Sequence, residues 1–177
     1  AWVELVPGQV GAARAALFSG LASGANLLAY SGHGGIDRLA AEGLLTLADL
    51  PSLPAAGELP VMVALSCVLN RFELPNVEPL GARLVMEPES GAVAVWSASG
   101  LSSHPRVEGL GRLFFEELRK SPGARLGDLM REAEGRFALR QGSESLSFYN
   151  LLGDPALRVA EPPSPPPPPP GEPGAGE

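Results

Sequence analysis

Three short apolar runs constrain this chain more than any other feature: Asn-Leu-Leu-Ala-Tyr at 26–30, Val-Met-Val-Ala-Leu at 61–65 and Ala-Val-Ala-Val-Trp at 92–96. Each is apolar on both faces and ends abruptly in small polar residues or glycine, as a buried parallel strand does. Between and after them lie stripes of helical spacing. Val10, Ala13, Leu17 and Leu21 form one, Val107, Leu110, Phe114 and Leu118 a second, and Leu126, Met130, Ala133 and Phe137 a third. Asn76 is placed to cap a further helix with Pro79 in its first turn, carrying Leu80 and Leu84. Leu44–Leu47 reads as a small edge strand or a turn of helix. Alternating strands and helices imply an α/β, three-layer fold, a mostly parallel sheet flanked by helices.

Composition divides the chain. Residues 161–177 hold 9 of its 19 prolines and 3 of its 22 glycines, with no large apolar residue. That segment cannot bury enough surface to offset its ordering entropy, so it reads as a disordered, Pro/Gly-rich linker after one domain at 1–160. The expectation is that it tethers the domain to further chain, and that the domain itself lacks an N-terminal part. Formal net charge is −7, with three glutamates in the tail and a single lysine, Lys120, in the whole chain. No basic patch for nucleic acid is in sight. No run reaches the roughly 18 apolar residues of a membrane helix. One cysteine and two histidines exclude a disulfide framework and leave too few soft ligands for a zinc site. No phosphate-binding glycine loop is present.

In an open α/β sheet, ligands gather beyond the carboxyl ends of the strands. There the chain carries Ser31-Gly32-His33-Gly34-Gly35 after the first run, Ser66-Cys67 after the second and the loop 97–103 after the third. If the first two strands are neighbours, His33 and Cys67 emerge side by side. A thiol is a nucleophile only as thiolate, and an imidazole can take its proton. Backbone N–H groups in a glycine-rich turn, those of Gly34 and Cys67 here, can stabilise the oxyanion of acyl transfer.

Four segments, Tyr30–Gly34, Ala64–Cys67, Gly91–Ser99 and Leu151–Val159, resemble the gingipain family of cysteine peptidases, of the caspase-like clan. The resemblance covers roughly 26–159. It implies that Cys67 attacks a peptide carbonyl to form a thioester and that His33 protonates the leaving amine. Gly34 and Cys67 would offer the oxyanion N–H groups. The loop from Ser97 through Ser99 to His104 would wall the pocket for the residue before the scissile bond. It implies a polypeptide substrate, no cofactor or metal, and a secreted or cell-surface location. The run 68–72 lacks the glycine expected of the family. A CHAT-type regulated protease or a transpeptidase of the same clan is an alternative, as is an inactive peptidase-like binding or scaffold domain. Asp154 before Pro155 reads as a turn former, Asp37 as a loop carboxylate, and Glu116, Glu117, Glu132 and Glu134 as solvent faces.

Overall fold

The computed structural model describes residues 8–159 apart from 56 and 103, so the tail and the apolar run at 2–6 lie outside the described residues. Helix α1 (Val10–Ala22) leads into β1 (Leu27–Ser31). A two-stranded ribbon, β2 (Arg38–Leu39) and β3 (Leu45–Thr46), follows, and β3 passes directly into a 3-10 turn at Leu47–Ser52. The ambiguous stretch at 44–47 is thus both edge strand and helical turn. Then come β4 (Val61–Leu65), α2 (Leu80–Met86), β5 (Ala94–Ala98), α3 (His104–Lys120), α4 (Leu126–Gln141), a second 3-10 turn (Glu144–Phe148) and β6 (Tyr149–Gly153).

The main sheet runs β1-β4-β5-β6. The first three strands are parallel, and β6 returns antiparallel on β5 from Ala98↔Tyr149 to Ala94↔Gly153. The three apolar runs are the three parallel strands, with β5 starting two residues later than the run suggests. The sequence reading gave no strand at 149–153. Only two of its residues, Leu151 and Leu152, are large aliphatics, and both are only half-buried at this edge, so its apolar signal is weak.

Strand alternation sorts the core into two layers. Val61, Val63 and Leu65 of β4, with Ala94, Trp96 and Ala98 of β5, face Val107, Leu110 and Phe114 of α3 and Leu126, Met130, Ala133 and Phe137 of α4. Met62, Ala64 and Val95 point the other way, against Leu21 of α1, Leu39, Leu45, Leu50, Leu80 and Leu84. The three helical stripes turn toward the core, although Val10, Leu17 and Leu118 are only partly buried.

Two sequence expectations need correcting. Asn76 does not cap α2: its backbone is left-handed (φ +60), and the helix begins at Leu80 with Pro79 as its flanking residue. Asparagine tolerates that conformation, so it makes a turn here rather than a cap. Glu116 and Glu117 are not simple solvent-facing groups. Both pair with Arg136 of α4, Glu116 at 2.8 Å, and so clamp α3 to α4.

Candidate active site

The register of β1 on β4 decides which residues meet. Ser31 pairs with Leu65, so His33 and Cys67 each lie two residues beyond a paired position on adjacent parallel strands. Neighbouring strands are ~4.8 Å apart, which brings the two loops together. The contact is intimate. A Cβ placed on Gly34 would lie 1.9 Å from Ser66 Oγ and 3.0 Å from the Cys67 carbonyl oxygen. Glycine at 34 is therefore what allows the histidine turn to lie against the cysteine turn.

The backbone at His33 is pinned. Its carbonyl accepts from the Ala40 N–H (2.9 Å) and from the Tyr30 hydroxyl (2.6 Å), and the Gly35 N–H donates to the Arg38 carbonyl (2.9 Å). Burial pushes the Tyr30 phenol up to about 12, against a lowering contribution from the Ala40 backbone. The imidazole itself is exposed and, among the described residues, hydrogen-bonds to none. Among the described residues, the N–H groups of Gly34 and Cys67 donate to no protein acceptor.

The cysteine turn is held from the far side. Val68 N–H donates to the Gly100 carbonyl (3.1 Å) and Asn70 N–H to the Ala98 carbonyl (3.0 Å). The wholly buried Asn70 amide donates to the carbonyls of Val95 (3.3 Å) and Asn150 (3.1 Å), stitching the turn to β5 and β6. Val68 adopts φ +49, a left-handed conformation rare for a β-branched residue. A glycine would take it freely, and the run 68–72 has none.

Cys67 is half-buried, and its sulfur meets Ser102 rather than His33. Sγ donates to the Ser102 carbonyl (3.3 Å), receives the Ser102 N–H (3.5 Å) and lies 3.7 Å from Ser102 Oγ. The Ser102 hydroxyl donates to the Ser66 carbonyl (3.2 Å). Tyr149, paired with Ala98 at the site end of the sheet, brings a buried phenol close by. Ser102, Tyr149, Asn70 and the anchoring role of Tyr30 were not singled out by sequence reasoning. Its place within the Ser97–His104 loop was the only signal for Ser102.

The expected pocket wall narrows. Ser97 is fully buried within β5, so its side chain can touch no substrate, because strand alternation turns it into the core. Ser99 is half-buried and ties the loop to β6: its hydroxyl donates to the Phe148 carbonyl (3.2 Å) and accepts from Asn150 Nδ2 (3.0 Å). His104 opens α3, and its side chain lies outside the described ones. Leu101 is strongly exposed beside Ser102, and Phe148 packs on Gly100. Asp37 pairs with its neighbour Arg38 (2.7 Å), which holds its carboxyl below the usual range. Asp154 accepts the Ala156 N–H (2.8 Å) in a turn at the opposite end of the sheet. Among the described residues, no three His, Cys, Asp or Glu side chains gather as a metal site would require.

A strand-end thiol, a glycine-flanked histidine at the end of the adjacent strand and two N–H groups unengaged among the described residues thus meet at one end of a mostly parallel α/β sheet. The chain belongs to peptidase family C25, whose family model matches residues 4–160. Among solved structures it is similar to the complex of the Porphyromonas gingivalis RgpB pro- and mature domains, with TM-score 0.74 and 19% identity, over 82% of this chain and 37% of that one. It is also similar to a structure described only as a protease (TM-score 0.73, 16% identity, 89% of this chain and 40% of that one). A third is the Arg specific cysteine proteinase gingipain R (TM-score 0.69, 16% identity, 82% of this chain and 36% of that one). The fold is therefore the gingipain, caspase-like one, and the chain spans 36–40% of the length of these structures. No curated protein sequence matches it.

Proposed function

We propose that the chain carries the catalytic dyad of a cysteine endopeptidase, with Cys67 as nucleophile and His33 as general acid and base. The observation that carries this reading is the packing of the His33–Gly34 turn against Ser66-Cys67 at two adjacent strand ends, with the Gly34 and Cys67 N–H groups both unengaged. The imidazole takes the thiol proton. The thiolate attacks the peptide carbonyl carbon, and the carbonyl oxygen becomes an oxyanion received by the two N–H groups. The imidazolium then protonates the amine as the C–N bond breaks, leaving a thioester on Cys67. Water, deprotonated by the imidazole, attacks the thioester, and the carboxylic acid and the thiol are released.

The loop 99–104, with exposed Leu101 beside Ser102, would form part of the wall contacting the residue before the scissile bond. In keeping with the exported habit expected of the family, the protease would act outside the cell, tethered through its Pro-rich tail.

The test is covalent labelling with peptidyl acyloxymethyl ketones that vary the residue before the warhead, read by intact mass. Labelling of wild type that is absent in Cys67→Ala and collapses in His33→Ala is the expected result. Equal, slow labelling of wild type and His33→Ala would mean an ordinary exposed thiol and a binding or scaffold domain instead.

A further inference from the structure

Tyr149 is more than nine-tenths buried, and among the described residues its hydroxyl reaches no partner at full hydrogen-bond geometry, only a loose approach to the Ser102 hydroxyl and the Ser66 backbone. It sits at the site end of β6, beside the Ser102 hydroxyl and the Ser66 backbone. A buried donor left without a full hydrogen bond costs up to about 1–3 kcal/mol, which is tolerable where the donor is used in another state of the site. Its ring packs edge-on against Trp96, which is wholly buried.

The sulfur's surroundings suggest what that other state is. In the resting thiol, Sγ donates to the Ser102 carbonyl and the Ser102 hydroxyl donates to the Ser66 carbonyl. When the thiol proton leaves, the first contact turns from a hydrogen bond into a repulsion between two electron-rich atoms. The Ser102 N–H, 3.5 Å from sulfur, then becomes the favourable contact, and the hydroxyl, 3.7 Å away, can turn its proton from the Ser66 carbonyl to the sulfur. Its oxygen then has lone pairs free for a donor. The phenol of Tyr149 is that donor.

We propose that Ser102 binds the Cys67 thiolate through its N–H and hydroxyl, and that Tyr149 is a positioning residue which donates to Ser102 once the thiolate forms. The relay runs from the phenol O–H to Ser102 Oγ and from the serine O–H to sulfur, each donor polarising the next. No bond is made or broken beyond the S–H bond, whose proton goes to His33 or to solvent. The inference rests on Cys67 working as a thiolate, as the peptidase reading requires. Among the described residues, ionisable groups on the two turns that meet at Cys67 are Tyr30, His33 and the Asp37–Arg38 pair on the β1 side and Arg71 with Glu73 on its own turn. The last two pair with each other at 3.3 Å.

The test is the pH dependence of alkylation of the chain by iodoacetamide, which reads the sulfur and not catalysis. Ser102→Ala should slow alkylation at pH 7 about three- to tenfold and leave the alkaline plateau unchanged, moving the midpoint to higher pH. Ser102→Thr should restore the wild-type profile. Tyr149→Phe should shift the midpoint the same way by less, and Ser102→Ala with Tyr149→Phe should match Ser102→Ala alone. Tyr149→Phe removes a hydroxyl that lacks a full hydrogen bond, so its thermal midpoint should be kept or raised. A merely structural tyrosine would leave the alkylation profile where it was. Superimposable profiles for wild type and Ser102→Ala overturn the proposal, as does a Tyr149→Phe effect undiminished in the Ser102→Ala background. If Ser102→Ala does not fold, the Tyr149→Phe profile decides alone, and an unmoved midpoint overturns the relay. Failure of the peptidyl probes with these shifts intact would sink the peptidase reading and leave the sulfur clamp standing.

Discussion

Gly34→Ala puts the heart of the site under strain, and the structure sets the size of the effect. The new Cβ would meet Ser66 Oγ at 1.9 Å, Cys67 O at 3.0 Å and Ser66 Cβ at 3.3 Å. The hydroxyl can rotate away without losing a bond, because Ser66 Oγ is buried and unpartnered. The carbonyl cannot, since β4 and its turn are tied to β1, β5 and the loop beyond β5. The two strand ends must therefore part by a few tenths of an ångström. Overpacking of this kind costs about 1–3 kcal/mol, which for a domain of this size is a fall in Tm of roughly 2–12 °C. The same movement takes the Gly34 N–H away from the Cys67 N–H. Losing one oxyanion donor typically costs about 10²–10³ in kcat. Thermal denaturation by circular dichroism and the rate of peptidyl-probe labelling measure the two effects. Adding Ser66→Ala should recover part of the Tm, since it removes the shortest contact and leaves the carbonyl one. An unchanged Tm and labelling rate in Gly34→Ala would refute the packing of the histidine turn on the cysteine turn.

Three further changes probe the scaffold. Asp49 forms a two-pronged pair with Arg14 (2.6 and 3.0 Å) and accepts from the Thr46 N–H and hydroxyl (both 2.8 Å). The Arg14 hydrogen bond leads in holding its carboxyl down at about 2, below the ordinary 3.8. That stabilisation is fully present above pH ~3.8 and fades as pH falls through about 2, so Asp49→Asn should cost about 1–2 kcal/mol at pH 7 and much less near pH 2, by urea midpoints. Asn70→Ala leaves buried carbonyls of β5 and β6 without their donor. It should lower stability by about 1–3 kcal/mol and slow labelling of Cys67, and an unaltered labelling rate would show that the turn holds its shape without the amide. Trp96→Ala empties a fully buried site between Phe114 and Tyr149 and should cost about 3–5 kcal/mol in chemical denaturation, whereas a loss under 1 kcal/mol would contradict the packing described.

The sequence by itself determined the α/β class, the three parallel strands, the inward faces of three helices and the emergence of His33 and Cys67 at strand ends. All of these are local: periodicity follows from the geometry of one element, and a residue ending a buried strand must emerge at its carboxyl end. It also carried the resemblance through four short segments. Only the tertiary structure decided the rest. Ser102 meets the sulfur across 35 positions, and the Asn70 amide reaches Asn150 across 80. Ser97 and Ser99 look alike in a serine-rich loop, yet one turns into the core and the other ties down β6. Tyr149 stands out in no local pattern, and only the antiparallel return of β6, which pairs it with Ala98, brings it to the site end of the sheet. Contacts between distant segments depend on register and packing of the whole sheet, and no local pattern of residues encodes them.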